Sequence, residues 1–300
     1  MPKVTIGIPV FNGARFIGRA VRCFLDQDFD DLEVIVADNA STDTTMEICR
    51  SIALTEARLK ILTSNSNKGA LPNYNRLVDA AEGMYFKWAA HDDWCTANFI
   101  SLTVAALQAH KYAVLSYAPM DVEDDSGRVY RWRDQHLPDL ESGDAWRRLH
   151  ELVWNLSNSN PLIFGLMRTD VLRRTGRLPN TSQTDRALLN EMALHGAFLR
   201  VDGARYIQYK SPDHYGHYAG DEIPPRLRSW VWLDADNAAK PKLSLYRFFK
   251  ASFEALKRAP RLTPWNYWTI TIDIVVGTLV TRVRSRRRLA SRRRAVAARG

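Results

Sequence analysis

From Lys3 to Tyr117 the chain repeats one pattern: a short apolar, β-branched run, a stretch with apolar residues at helical spacing, then another run. Lys3 to Pro9 reads as the first strand. Phe16 to Leu25 follows, with Phe16, Ile17, Ala20, Val21, Phe24 and Leu25 on one helical face. Leu32 to Ala37 is a second strand, apolar enough to be covered on both faces. A helix from Thr42 to Leu54, with Ser41 or Thr42 as its N-cap, leads to a strand at Leu59 to Thr63. A helix from Asn73 to Ala81 leads to a strand at Met84 to Ala89, and a further helix to a strand at Val114 to Tyr117. This rhythm confines the chain to an α/β fold, a mostly parallel sheet with helices on both faces. In such sheets ligands bind beyond the carboxyl ends of the strands. Polar residues collect at those ends: Asn12, Asp38, Asn65 to Lys68, and Asp92 with Asp93.

Beyond about Asp121 the rhythm fails. The polar stretches Asp121 to Gly127 and Arg131 to Gly143 predict a hairpin and loops, with strand and helix pieces following to about Tyr209. Residues 211–225 are rich in Pro, Gly, His and Tyr and read as a functional loop, and helical patterns resume near Leu227. Three scattered cysteines, Cys23, Cys49 and Cys95, supply no disulfide framework and suit a reducing cytoplasm. The N-terminal residues lack a secretory pattern, and no run of about 18 apolar residues predicts a spanning helix. The net charge of +9 is local. Nine arginines and no acid lie between Arg282 and Arg299, which leaves 33 of the 42 basic residues against 33 acidic ones elsewhere. A neutral body weighs against a nucleic-acid binder built on a basic face.

Asp92 and Asp93 end the fourth strand. Paired carboxylates there are a platform for a divalent cation, which neutralises charge on a leaving diphosphate. Mg²⁺ or Mn²⁺ suits such oxygen ligands. Two acids in this place equally serve to cap the helix expected from about Thr96.

Three segments in register carry more than the pair alone. Ile6-Gly7-Ile8-Pro9-Val10-Phe11-Asn12-Gly13, Val34-Ile35-Val36-Ala37-Asp38-Asn39-Ala40-Ser41-Thr42-Asp43 and Gly83-Met84-Tyr85-Phe86-Lys87-Trp88-Ala89-Ala90-His91-Asp92-Asp93 closely resemble the family 2 inverting glycosyltransferases. The likeness holds over roughly the first 115 residues and continues less sharply to about residue 220. It implies a GT-A fold: a Rossmann-like, mostly parallel sheet with an acceptor-side α+β portion, here carrying a C-terminal helical extension. The divisions it suggests are a nucleotide-sugar-binding half at 1–115, an acceptor-binding half at 116–222 and a helical extension with an Arg-rich tail at 223–300.

The resemblance also implies roles. Asp38 matches the acid that hydrogen-bonds the nucleobase, which favours a UDP- or TDP-sugar. Pro9, Phe11 and Asn12 lie where the first loop meets base and ribose, although Phe11 is equally readable as core. Lys68 falls in the loop that approaches the diphosphate, where a solvated surface lysine is the other reading. Of the acidic motif, the last aspartate, Asp93, contacts the metal and Asp92 the ribose or sugar. His91 stands where many members carry another acid. Asp185, in Thr184-Asp185-Arg186-Ala187-Leu188-Leu189, matches the general base that deprotonates the acceptor hydroxyl. A helix-opening acid is its bland alternative, and Glu191 is a weaker candidate on the same helix. The segment Phe164 to Leu172 resembles the acceptor-side strand and short helix, with Gly165 open to a close approach by substrate or to plain packing. In Asp213-His214-Tyr215-Gly216-His217, His217 matches a loop histidine that approaches the metal or diphosphate, slightly better than His214.

Trp265-Asn266-Tyr267-Trp268 precedes a mainly apolar stretch from Ile270 to Val283 and then the arginines. Aromatics, an apolar helix and clustered basic residues suit an anionic membrane surface, and so a peripheral place on its cytoplasmic face. Packing on the catalytic domain with a solvated tail is the alternative. The expected partners are a nucleotide-diphosphate sugar and a glycan or lipid-linked acceptor, with no nucleic acid. Two other classes are weighed against the enzyme. A sugar-1-phosphate nucleotidylyltransferase resembles a glycine-rich first loop, which Val10-Phe11-Asn12-Gly13-Ala14-Arg15 is not. A non-catalytic nucleotide-sugar-binding or membrane-associated protein on a degenerate GT-A fold has no need of Asp185.

Overall fold

The computed structural model describes residues 1–131, 138–155, 161–181, 183–210, 241–260, 262, 264–278 and 280. Strands β1 (Val4–Val10) and β2 (Leu32–Asp38) are buried at every position, as their unbroken apolar runs require. They pair in parallel with Ile6 opposite Val34 and Val10 opposite Asp38, so both end at the same sheet edge. Helices α1 (Ile17–Leu25), α2 (Thr45–Ala53) and α3 (Ala70–Ala80) connect them to β3 (Leu59–Leu62) and β4 (Tyr85–Trp88). The next elements are β5 (Trp94–Cys95), α4 (Phe99–Ala109), β6 (Ala113–Tyr117), β7 (Met120–Glu123) and β8 (Val129–Arg131). Then come α5 (Ala145–Asn155), β9 (Leu166–Arg168), α6 (Thr169–Arg174), α7 (Thr184–His195), β10 (Ala197–Arg200) and β11 (Tyr206–Tyr209). Among the described residues the chain closes with α8 (Pro241–Arg258), α9 (Pro264–Ile272) and a π-helical turn, Asp273–Gly277.

Seven strands form one sheet in the order β10-β6-β9-β4-β1-β2-β3. All pairings are parallel except those of β9, which runs against both β4 and β6. A smaller sheet, β5-β11-β7-β8, contains the expected hairpin, β7 with β8. The α/β reading and its irregular second half are thus borne out. Apolar side chains pack in two layers against the large sheet. One is centred on Ile6, Ile8, Val21, Phe24 and Val34, the other on Ile35, Leu77, Phe86, Trp88 and Leu188. A third cluster joins α5, α7, α8 and α9 through Leu149, Val153, Leu194, Phe248, Leu256, Ile270 and Ile274.

Several element ends differ from expectation. Helix α2 starts at Thr45, not Thr42, because Ser41 and Thr42 are bound to the loop after β1. Helix α3 starts at Ala70, three residues early, since Leu71 is buried and Pro72 in a first turn forfeits no helical hydrogen bond. Helix α4 begins at Phe99 rather than near Thr96. Gly165 proves to be a packing glycine: a Cβ there would meet the Ser116 carbonyl oxygen at 2.7 Å.

Candidate functional site

The first three strand ends are laced into one platform. Asn12, at φ 51°, accepts the Thr42 N–H at 2.8 Å and donates its own N–H to Ser41 Oγ at 2.9 Å. The next N–H, of Gly13, reaches Thr45 Oγ1 at 2.9 Å. Asp38 is 3% exposed, and both its oxygens accept the Ser41 N–H at 3.2 Å. Asn39 binds Asn67 Oδ1 at 2.8 Å and the Gly69 carbonyl at 3.0 Å, and it accepts the Lys68 N–H at 3.0 Å. The Lys68 side chain itself is exposed. Pro9 is buried and Phe11 half-buried at the same edge.

Arg76 fastens this platform, and sequence reasoning missed it. From α3 its guanidinium donates to the carbonyls of Asp38 at 2.7 Å, Leu62 at 3.2 Å and Thr63 at 3.0 Å. It also reaches Ser64 Oγ at 3.0 Å and Asn73 Oδ1 at 2.8 Å. An arginine inside a helical stretch looks in sequence like part of a solvated face, and only the β2–β3 neighbourhood gives it these acceptors.

The acidic pair sits beside the platform. Gly13 leaves room for the His91 ring, whose Cδ2 would lie 2.6 Å from a Cβ at that position. His91 Nδ1 stands 4.0 Å from Asp92 Oδ1. The two carboxylates differ. Asp92 keeps 27% of its side-chain surface open. Asp93 is 4% exposed and held by β11: Oδ2 accepts the Tyr206 hydroxyl and Oδ1 the Tyr209 N–H at 2.9 Å. Burial, then the neighbouring Asp92 charge, pushes the Asp93 carboxyl well above the usual range. Beneath it lies Lys87, fully buried among the rings of Phe24, Phe99 and Tyr206 and donating to the Phe164 carbonyl. Burial brings the Lys87 ammonium down to about 8. Lys210 also lies near Asp93: its own burial lowers its pKa and the Asp93 charge raises it. Tyr206 and Tyr209 on β11, and Lys210 just after it, lie about 115 positions downstream, so nothing local to the acidic motif announces them.

Asp185 opens α7 and is half-buried, with its Oδ1 accepting the Arg186 N–H at 2.8 Å. Burial raises its pKa above the ordinary carboxylate value. Glu191 on the same helix is 4% exposed at its side chain and paired with Arg258 Nε at 2.6 Å, so its partners are structural. His214, His217 and the arginines from 282 to 299 lie outside the described residues. No group of three or more His, Cys, Asp and Glu side chains gathers to hold a metal among the described residues. The open Asp92 carboxylate nonetheless fits a cation of the kind that takes one or two carboxylates and completes its shell with substrate phosphates.

A family model described as "Glycosyl transferase family 2" matches residues 5–173. A curated relative, the Campylobacter jejuni GalNAc(5)-diNAcBac-PP-undecaprenol beta-1,3-glucosyltransferase, is 33% identical over 102 residues, 34% of this chain and 33% of that protein. The chain spans 53%, 33% and 42% of the length of the first three curated relatives it matches. Among solved structures, S. aureus TarS in complex with UDP-GlcNAc shares the fold at a TM-score of 0.57 and 17% identity, over 93% of this chain and 91% of that one. The Pyrobaculum calidifontis mannosyltransferase in complex with GDP-Man and Mn²⁺ aligns at a TM-score of 0.55 and 17% identity, over 94% and 87%. These likenesses bear out the GT-A architecture expected from the sequence.

Proposed function

This chain belongs to glycosyl transferase family 2, and on that footing we propose that it is an inverting transferase acting on a nucleotide-diphosphate sugar. The observation that carries the reading is the joining, at one sheet edge, of the Asn12–Asp38–Asn39 platform and the Asp92–Asp93 pair. Asp38 binds the base through its carboxylate edge, a UDP- or TDP-sugar being preferred. Pro9, Phe11 and Asn12 flank base and ribose, and the exposed Lys68 faces the diphosphate. The bound relatives of the same fold, one with UDP-GlcNAc and one with GDP-Man and Mn²⁺, support a nucleotide sugar and a divalent cation here.

Mn²⁺ or Mg²⁺, when bound, would neutralise charge on the leaving diphosphate. Within the acidic pair we read both carboxylates as serving the cation: Asp93, the metal ligand the resemblance implies, is oriented by Tyr206 and Tyr209, and Asp92 adds the more open carboxylate. His217, outside the described residues, is a further candidate ligand. Asp185 takes the proton of the acceptor hydroxyl as its oxygen attacks the anomeric carbon. The bond from that carbon to the diphosphate oxygen breaks, its electron pair leaves with the diphosphate, and the configuration inverts. Desolvation raises the basicity of Asp185, which suits this task. The acceptor is a glycan or a lipid-linked glycan, a reading supported by the polyprenol-linked substrate in the name of the Campylobacter relative. We read 1–115 as the donor half, 116–222 as the acceptor half and 223–300 as the extension, with the enzyme peripheral on the cytoplasmic face of a membrane.

Asp185→Asn tests the assignment. It should abolish transfer and leave nucleotide binding within about twofold, because the amide keeps the shape and loses the base. Equal loss of binding and transfer would remove Asp185 from the base role.

A further inference from the structure

Helix α9 and the π-helical turn after it are apolar on two sides. The inner side is fastened to α5. Ile270 and Ile274 are buried, and Asp273 accepts both indole N–H groups of Trp146 and Trp154 at 2.8 and 2.9 Å and contacts His150 Nδ1 at 3.1 Å. Gly277 allows the closest approach, since a Cβ there would stand 2.3 Å from Val153 Cγ1. The outer side bears Trp268, Ile272 and Val276 at four-residue steps, exposed by 67%, 57% and 43%. A helix held this firmly cannot turn its outer stripe inward. Among the described residues no helix is long and apolar enough to cross a membrane.

We propose that this outer face docks on an anionic lipid surface, with Trp268, Ile272 and Val276 entering the interfacial layer. Charge selects that occupant over a protein partner or a second copy. Six positions after Val276 the sequence begins a run of nine arginines without one acid, while the rest of the chain is balanced. A second copy would bring the same arginines against its twin. An anionic bilayer offers apolar depth for the stripe and negative charge for the arginines that follow it. The indole of Trp268 suits the headgroup boundary, where one end of the ring is wet and the other apolar. The proposal does not depend on sugar transfer, although it would hold the acceptor side of such an enzyme close to a lipid-linked substrate.

Co-sedimentation of the full chain with vesicles tests it, using phosphatidylcholine alone or mixed with phosphatidylglycerol, at low and high salt. The chain should bind the anionic vesicles and not the neutral ones. Trp268→Ser, Ile272→Ser and Val276→Ser together should raise the lipid concentration for half-binding by roughly tenfold or more, at either salt concentration. Arg286→Gln, Arg287→Gln and Arg288→Gln should weaken binding chiefly at low salt, where charge is least screened. Trp268→Phe leaves the apolar face intact and gives a second reading: brominated phospholipid should quench wild-type tryptophan fluorescence more than that of the variant. Unchanged vesicle binding by the triple serine variant, or equal quenching of wild type and Trp268→Phe, would overturn the proposal. So would a lipid-free dimer that the serine variant dissolves.

Discussion

At the scale of single residues, the proposed site separates groups open to a ligand from groups that hold them in place. Tyr206 belongs to the second kind, because its hydroxyl binds a carboxylate of the acidic pair from another sheet. Partners of this sort typically alter metal affinity or activity by roughly 10–100-fold. Tyr206→Phe should therefore raise the Mn²⁺ concentration for half-maximal activity within that range, and unchanged metal dependence would detach Tyr206 from the site. Asp185 makes a prediction on pH and one on stability. Its folded-state pKa is raised by burial, so kcat/KM should climb with pH to an inflection above the ordinary carboxylate value of about 3.9. Because the folded pKa exceeds the unfolded one, its favourable contribution to stability holds at low pH and is lost as pH rises through the folded pKa. At neutral pH Asp185→Asn should thus unfold at a higher urea midpoint while losing activity. A less stable Asp185→Asn protein would contradict the desolvated carboxylate. Asp38 and the acidic pair were legible because polar residues at the ends of apolar strands are conspicuous. Arg76 and Tyr206 were not, since their meaning lies in partners 38 and 113 positions away.

At the scale of elements, the strands themselves were more readable than the way they pair. β1 and β2, seven residues each and wholly buried, announce themselves by composition. β9 has three residues, and its antiparallel insertion between β4 and β6 depends on neighbours far from it in sequence. The start of α2 shifted for a similar reason: Ser41 and Thr42, which suggest local caps, are bound to the loop after β1. Two interhelix ties can be tested directly. Asp273→Ala orphans the indole donors of Trp146 and Trp154, at a cost of about 1–3 kcal/mol for each group left buried. Urea unfolding should show that loss, and a stability equal to wild type would mean water replaces the carboxylate. Glu191 ties α7 to α8 through Arg258 and also accepts the Gly176 N–H at 3.0 Å. Glu191→Gln should lower stability while the folded enzyme keeps its kcat/KM. A selective fall in kcat would instead return Glu191 to the list of catalytic bases.

At the scale of the whole molecule, the large sheet builds the proposed nucleotide platform and the small sheet closes against the acidic pair. The carboxyl ends of β1, β2 and β4 converge there because parallel register brings Val10 beside Asp38 and Gly7 beside Trp88. The central claim is that this convergence binds a nucleotide diphosphate together with a divalent cation. Thermal unfolding measures it most directly, with UDP, TDP and GDP each added with and without Mn²⁺, on wild type and on Asp92→Asn. A ligand at about 100 times its Kd adds about 2.7 kcal/mol, a rise of several degrees for a chain of this size. The account predicts such a rise for one nucleotide class, larger with Mn²⁺, and a Mn²⁺ increment that Asp92→Asn removes. No rise with any nucleotide, or a rise indifferent to both Mn²⁺ and Asp92, would contradict it.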